Sequence, residues 1–208
     1  MRDNGPRKTT QKVLLSITAL AAAAGLAGVG TYANFTGSTS ASQQVSTGTM
    51  TIALGATGSS SNRLNINATA FAPTDTMQRT VDVNVSGSVG LSAMTLTTVD
   101  TVGTPTVLST DATNGLQIAI DRCDVPWTEA GVSPAFTYTC SGTTSAVLAS
   151  TSVVGAARPM NNMLLAASDS NHLRVTITLP TTAGDTFQNL AATISHTFTG
   201  TQRAGISQ

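Results

Sequence analysis

The sequence predicts an all-β protein in which the part after residue 33 forms an antiparallel β-sandwich, and three observations support this prediction. After residue 33 the chain is dominated by Thr, Ser, Val, Ala and Gly, with one Glu and no Lys, a composition that favours strands over helices. Eight segments alternate apolar and polar residues with a period of two, which is typical of a strand with one buried face. Turn residues separate these segments, so two sheets packed face to face are expected.

The alternating segments run along the whole chain after residue 49. They span residues 50–54, 64–66, 81–85, 94–96, 116–120, 136–140, 173–179 and 190–198. A further strand is possible at 146–148, and one short helix at 159–167. Residues 55–62 and 100–114 are expected to be exposed loops. One sandwich domain is therefore predicted over residues 49–203, followed by a tail at 204–208.

The first 33 residues have the three parts of a secretory signal. A positive region comes first, with Arg2, Arg7, Lys8 and Lys12. Residues 13–29 are apolar and uncharged, which predicts a signal helix, and Ala33 precedes a cleavage site before Asn34. This apolar run is near the lower length limit for a membrane span, so an uncleaved anchor is the alternative.

The charges of the exported part are few and dispersed. Six Arg face eight Asp and one Glu, a net charge of −3. No basic patch for nucleic acid is present, and the absence of Lys after residue 33 excludes Lys nucleophiles and Lys–Asn crosslinks. Residues 34–48, which are rich in Ser, Thr and Gln, predict a mobile N-terminal arm.

Two cysteines, Cys123 and Cys140, occur in the chain. In an exported protein an even number of cysteines predicts a disulfide, with two free thiols as the alternative. The bridge would close a loop of 18 residues and add about 3 kcal/mol to the free energy of unfolding in the chain-entropy picture. A metal site would need more ligands than these two.

Groups suited to catalysis are scarce, and neither an enzyme nor a cofactor is expected. The motif H-E-x-x-H, the nucleophile elbow G-x-S-x-G and a phosphate-binding glycine loop are all missing from the sequence. His196 shares its parity with Ile194 and Phe198, so it should face inward as a buried neutral histidine; a metal ligand or pH switch is the alternative. His172 is expected to be solvated.

The segment around the first cysteine offers two weaker hypotheses. Asp121, Asp124 and Glu129 could hold a calcium ion together with loop carbonyls, or they could form a solvated acidic loop. Trp127 could be a platform for a carbohydrate, or it could cover an edge of the core.

The junction between the signal and the first strand resembles the TasA/camelysin family. Residues 30–36 (GTYANFT) and 45–52 (VSTGTMTI) resemble the family patterns G-T-x-A-x-F and F-x-x-G-T-L-x-L at the same spacing. Residues 72–75 resemble its P-G-D turn, with Thr74 in place of the glycine, and residues 194–203 resemble its last strand. The cysteine pair is not part of the TasA pattern and resembles that of actinobacterial relatives.

The resemblance implies a jelly-roll-like sandwich that is secreted into a biofilm matrix after a SipW-type signal peptidase cleaves the chain between Ala33 and Asn34. It also implies a head-to-tail homo-oligomeric filament, in which the arm that begins at Asn34 is donated to the next subunit with Phe35 and Val45 as anchors. The arm could instead pair within its own molecule. In either case, the chain is expected to contact the membrane only through the uncleaved signal. The alternatives are a monomeric adhesin or carbohydrate-binding module and a camelysin-like metallopeptidase.

Overall fold

The structure, a computed structural model, describes residues 49–65, 71–102 and 104–205. The strands in these ranges are β1 (Met50–Leu54), β2 (Thr76–Gly87), β3 (Leu91–Asp100), β4 (Gln117–Cys123), β5 (Thr128–Val132), β6 (Ala135–Thr139), β7 (Thr144–Ser152), β8 (Gly155–Pro159), β9 (Ser170–Thr178) and β10 (Ile194–Gln202). A four-residue helix, α1 (Val107–Thr110), and a 3-10 turn at Asp185–Phe187 complete the elements. The predicted signal helix and the arm lie outside the described residues.

Two antiparallel sheets form the body of the described domain. One has five strands in the order β1-β2-β9-β4-β7, and the other has three in the order β10-β3-β8. The late strand β9 lies between β2 and β4, so the strand order depends on long connections, as it does in Greek-key and jelly-roll sandwiches. The prediction of an all-β antiparallel sandwich is confirmed. Within the described ranges no helix is long and apolar enough to cross a bilayer.

The core lies between the two sheets, and the alternation of the strands decides which residues enter it. On β2, Val81 and Val83 are fully buried, and on β3 Leu96 is fully buried against them from the other sheet. Val81 is paired with Leu173 of β9 in the register, so both partners face inward. A slip of one residue would turn all of these side chains to water, and the buried rows therefore specify the register.

The hairpin of β5 and β6 is a third layer outside the sandwich. It packs on the outer face of the five-stranded sheet, where the Tyr138 amide donates to the Gln78 side chain at 3.3 Å. A second small core lies beneath it, formed by Cys123, Trp127 and Tyr138. The alternating pattern indicated β6 but gave no sign that its hairpin would cover a sheet face.

The turn that precedes β2 has Thr74 at the position that the family pattern gives to glycine. The Asp75 amide donates to the Ala72 carbonyl at 3.0 Å, and Pro73 and Thr74 are the two central residues. Thr74 has φ of 79°, the left-handed value that the third position of a type II turn requires. A β-branched residue is strained in this conformation.

Two local predictions were wrong. The segment 64–66 is not a strand in its described part; the chain makes only one bridge there, between Asn62 and Val81. The short helix is α1, inside a predicted loop, where the Thr106 hydroxyl accepts from the Leu108 amide.

No helix forms at 159–167, because the backbone groups of that segment have other partners. The buried side chain of Asn171 accepts from the Leu164 amide at 2.7 Å and donates to the Leu164 carbonyl at 2.9 Å. The Leu165 carbonyl accepts from Leu91 at the start of β3. These contacts replace the hydrogen bonds of a helical turn.

Candidate functional site

Cys123 and Cys140, the pair that the sequence predicts, are joined by a disulfide that fastens the hairpin to the sheet. Cys123 is the last residue of β4 and is fully buried, and Cys140 directly follows β6, with a Cα–Cα distance of 5.8 Å. Asp124 lies beside the two sulfur atoms, and its carboxylate accepts from the Thr143 amide at 2.8 Å. Because both sulfurs are bonded to each other, this group does not offer a set of thiolate ligands.

The acidic residues considered for calcium do not converge on one point. Asp121 accepts from Arg174 at 2.7 Å, and Glu129 accepts from Arg63 at 2.6 and 2.9 Å. The hydrogen bonds from Arg63 hold the pKa of Glu129 below its usual value, against the opposing effect of burial. The carboxylate of Asp121 therefore pairs with an arginine on the neighbouring strand β9 of its own sheet, and that of Glu129 joins the hairpin to the segment between β1 and β2.

Trp127 covers an edge of the core and does not form an open platform. Only 9% of the residue is exposed, and its indole N–H donates to the His172 carbonyl at 2.9 Å. The guanidinium of Arg174 lies 4.5 Å from the centre of its ring, a cation–π contact that occupies one ring face.

The two histidines lie on different sheets and have different surroundings. His172 faces outward on β9, where its Nδ1 is 2.8 Å from a carboxylate oxygen of Asp82; it is only partly exposed, so the expectation of a solvated side chain was wrong. His196 faces inward on β10, as predicted, and is paired in register with Thr98. Burial, with a smaller effect from the positive charge of Arg158, lowers the pKa of His196 to about 4.

The described residues do not fit a zinc-peptidase site. Such a site needs three protein ligands, typically two His and a Glu, around one point. Here His172 points outward from the five-stranded sheet, whereas His196 points inward from the three-stranded sheet. Glu129 accepts hydrogen bonds from Arg63 and Tyr138.

The sheet edges differ in how well they are protected against pairing with another chain. Natural sheets protect their edges by short strands, bulges, proline and inward-pointing charges. Strands β1 and β8 have five residues each, β8 also carries Arg158 and Pro159, and the pairing of β7 with β4 shifts register twice. Strand β10 has nine residues, no proline and no Asp, Glu, Lys or Arg, and its register with β3 is regular up to Thr201.

The inward row of β10 is only partly covered. Ile194, His196 and Phe198 are of intermediate exposure, whereas Thr98 and Leu96, which lie opposite His196 and Phe198 on β3, are buried. At Gly200 an added Cβ would lie 2.6 Å from the Cδ1 atom of Ile52, so the glycine lets β1 approach β10 closely. The edges β1 and β10 therefore lie on the same side of the sandwich. The alternation of residues 190–198 predicts a strand here but does not indicate that this strand is an edge.

Comparison with known proteins gives one family. A family model described as camelysin metallo-endopeptidase matches residues 8–207, nearly the whole chain. A search of curated proteins finds no match.

Proposed function

We propose that this chain, which belongs to the camelysin metallo-endopeptidase family, is a secreted structural subunit of extracellular matrix fibres. The observation that supports this proposal is the long, regular and uncharged edge of β10 in the described domain. In the proposed fibre the arm of one subunit, residues 34–48, adds as a strand to the β10 edge of the next.

The outer edge of β10 suits an added strand. Among the described residues β10 pairs with β3 alone, so its other side can offer backbone N–H and C=O groups over a nine-residue length. Pairing these groups with an extended segment provides affinity, and alternate side chains of that segment provide specificity. Phe35 and Val45 are the apolar anchors that would complete the half-covered row of Ile194, His196 and Phe198.

The arm carries no charged side chain. Residues 34–48 contain no Asp, Glu, Lys or Arg, so docking them desolvates no side-chain charge. Each subunit would donate one arm and receive another, and this head-to-tail contact does not close, so it yields a filament. While the signal is uncleaved, the arm is tethered to the membrane. Cleavage after Ala33 by the signal peptidase would free the arm and so start assembly outside the cell.

The proposal is tested on protein secreted by cells. N-terminal mass spectrometry should find a chain that starts at Asn34, and negative-stain microscopy should show filaments. Deletion of residues 34–44 should abolish the filaments. A synthetic peptide of residues 34–48 should shorten wild-type filaments by capping β10, whereas the same peptide with Ala at 35 and 45 should have a weaker effect. Filaments that persist after the deletion, or processed protein that stays monodisperse at high concentration, would contradict the proposal.

A metallopeptidase is the second candidate because the family is described by that activity. The test is cleavage of casein by the purified secreted protein with and without a chelator, together with a variant in which His172 and His196 are both Ala. Chelator-sensitive cleavage that this variant lacks would support the peptidase. A glycan array on the same sample addresses the remaining possibility, a monomeric adhesin.

A further inference from the structure

Three side chains form a row across neighbouring strands on the outer face of the five-stranded sheet. The register pairs Asp82 of β2 with His172 of β9, and His172 with Cys123 of β4. Paired residues of antiparallel strands point to the same face, with Cβ atoms about 4.5–5.5 Å apart. Cys123 is bonded to the end of the hairpin that packs on this face. The disulfide therefore lies beside a histidine that is itself bonded to a carboxylate.

The histidine of this row is oriented by its neighbours. Its Nδ1 is 2.8 Å from a carboxylate oxygen of Asp82, so the other ring nitrogen, Nε2, lies on the side turned away from β2. The backbone carbonyl of His172 accepts from the indole of Trp127, which packs against Cys123. A histidine held at one nitrogen by a carboxylate presents the other nitrogen to a third group, as it does where it activates a nucleophile. The neighbour on that side of His172 is Cys123.

The two sulfur atoms of the disulfide differ in access. Cys123 is fully buried, whereas Cys140 is only partly buried. In thiol–disulfide exchange a thiolate attacks one sulfur and the other sulfur leaves with the negative charge. Access therefore directs the attack to Cys140 and makes Cys123 the leaving group. A positive imidazolium beside a cysteine stabilises its thiolate, so a protonated His172 favours this departure.

An attacking thiol meets a negative charge at the disulfide. The carboxylate of Asp124 is exposed and has an oxygen within 4.8 Å of both sulfur atoms. Arg174, two residues from His172 on β9, is paired with Asp121 at 2.7 Å, so a carboxylate balances its charge. Two unit charges about 4 Å apart in water interact by about 1 kcal/mol. The site therefore favours a thiol that carries a positive group over one that carries a carboxylate.

We propose that Cys140 is a modification site, at which a small thiol with a positive amino group opens the disulfide. The sulfur of the incoming thiolate bonds to Sγ of Cys140. The bond between the two cysteines breaks, and its electron pair stays on Sγ of Cys123 beside His172. The incoming thiol is oxidised to a mixed disulfide with Cys140, Cys123 is reduced, and the proton of the thiol passes to solvent. This inference does not depend on the proposed fibre function.

The modification is reversible, because other contacts keep the hairpin in place once the bridge is open. Glu129 of β5 still accepts from Arg63 at 2.6 and 2.9 Å, and the Trp127 indole still donates to the sheet. Cys123 is therefore held near Cys140. Its thiolate can attack the mixed disulfide, expel the small thiol and restore the bridge when the thiol is removed.

The site is tested first on wild-type secreted protein treated with cysteamine, a thiol with a positive amino group. The reaction is stopped in an acidic denaturant that contains N-ethylmaleimide, which traps the free sulfur. Peptide mass mapping should find cysteamine on Cys140 and maleimide on Cys123. Cysteamine on Cys123, an equal distribution over both cysteines, or a bridge that stays closed until the protein is denatured would overturn the proposal.

The charge preference is tested with two thiols of opposite charge. Cysteamine should open the bridge about fivefold faster than 3-mercaptopropionate, after both rates are corrected for thiolate concentration and for reaction with a small uncharged disulfide. Added salt and the variant Asp124→Asn should each reduce this preference. Asp185→Asn, which removes a carboxylate elsewhere on the surface, is the matched control and should keep it. A preference that Asp124→Asn leaves unchanged would contradict the selection of a cationic thiol.

The contribution of His172 is tested by the pH dependence of the opening rate. The wild type should react about fivefold faster than His172→Gln near pH 6, because an imidazolium stabilises the departing thiolate. This ratio should approach one at alkaline pH, where the imidazole is neutral. His196→Gln, on the other sheet, should react like the wild type. A ratio that does not change with pH would show that His172 only shapes the site and would refute its role at the leaving sulfur.

Discussion

Arg63 holds both carboxylate oxygens of Glu129, at 2.6 and 2.9 Å, across 66 residues of sequence. The Tyr138 hydroxyl donates to the same carboxylate at 2.9 Å, and the Arg63 guanidinium lies 4.8 Å from the centre of the Phe136 ring. Together with the disulfide, these contacts fasten the β5–β6 hairpin over the sandwich.

Removing the charge of Glu129 should loosen the hairpin. In Glu129→Gln we expect faster amide hydrogen exchange in 128–132 than in the wild type at pH 7, because the paired carboxylate is lost. The pKa of Glu129 is lowered in the folded protein, so its contribution is present above the ordinary value of 4.5 and is lost as pH falls through the lowered pKa. The difference between the two proteins should therefore shrink at low pH. Asp185→Asn, outside the hairpin, is the control, and equal exchange at pH 7 would contradict the assignment.

Acid should destabilise the sandwich through His196. Its pKa is about 4 when folded against 6.5 in the unfolded chain, so the folded state resists protonation. The free energy of unfolding should fall as pH decreases from 6.5 towards 4. The total loss that His196 contributes is about 3 kcal/mol. Arg158 on β8 is the charged group that faces it, and a second positive charge there would be repelled.

The variant His196→Gln tests this pH dependence by urea unfolding between pH 7.5 and 4.5. Its stability should change less with pH than that of the wild type. His172→Gln, on the outer face of the other sheet, controls for the loss of a histidine as such. Parallel curves for the wild type and His196→Gln would show that His196 is not the group responsible.

The disulfide should stabilise the hairpin layer and the whole domain. Replacing both cysteines in C123A/C140A should lower the free energy of unfolding by about 3 kcal/mol. The single tryptophan, Trp127, packs beside the bridge, so its fluorescence should shift to longer wavelength if the hairpin separates before the sandwich unfolds. Circular dichroism follows the sandwich in the same sample. Unchanged stability with unshifted emission would show that the bridge contributes little.

Thr74 is a position where glycine should improve stability. Its φ of 79° is strained for a β-branched residue and suits glycine. We expect Thr74→Gly to raise the free energy of unfolding by about 0.5–1 kcal/mol, since relief of strain exceeds the added freedom of the unfolded chain. Thr137→Gly, at an exposed strand position with no positive φ, should instead lose about 1 kcal/mol. Thermal unfolding of both variants checks the sign, and a destabilised Thr74→Gly would refute the strain argument.

The parts of the fold that the sequence missed have a physical cause. The predicted segments 81–85, 94–96 and 173–179 lie inside the longer strands β2, β3 and β9, whereas the sequences of β5 (TEAGV) and β8 (GAARP) do not alternate, and each contains a residue of positive φ, Gly131 and Ala157. The surroundings of Trp127 depend on Arg174 and on the carbonyl of His172, both more than 40 residues away. A periodic pattern reports one strand at a time and carries no information on such contacts.

The sequence by itself determined that the protein is built of strands, which side of most strands is buried, that Cys123 and Cys140 pair, and that His196 faces inward. These follow from local alternation, composition and the number of cysteines. Only the tertiary structure decided that β10 is an edge among the described strands, that the β5–β6 hairpin covers part of the five-stranded sheet, and that Glu129 and Asp121 are paired with arginines. The reason is that alternation gives a strand two faces but does not name its neighbours, which are chosen by the packing of segments far apart in the chain.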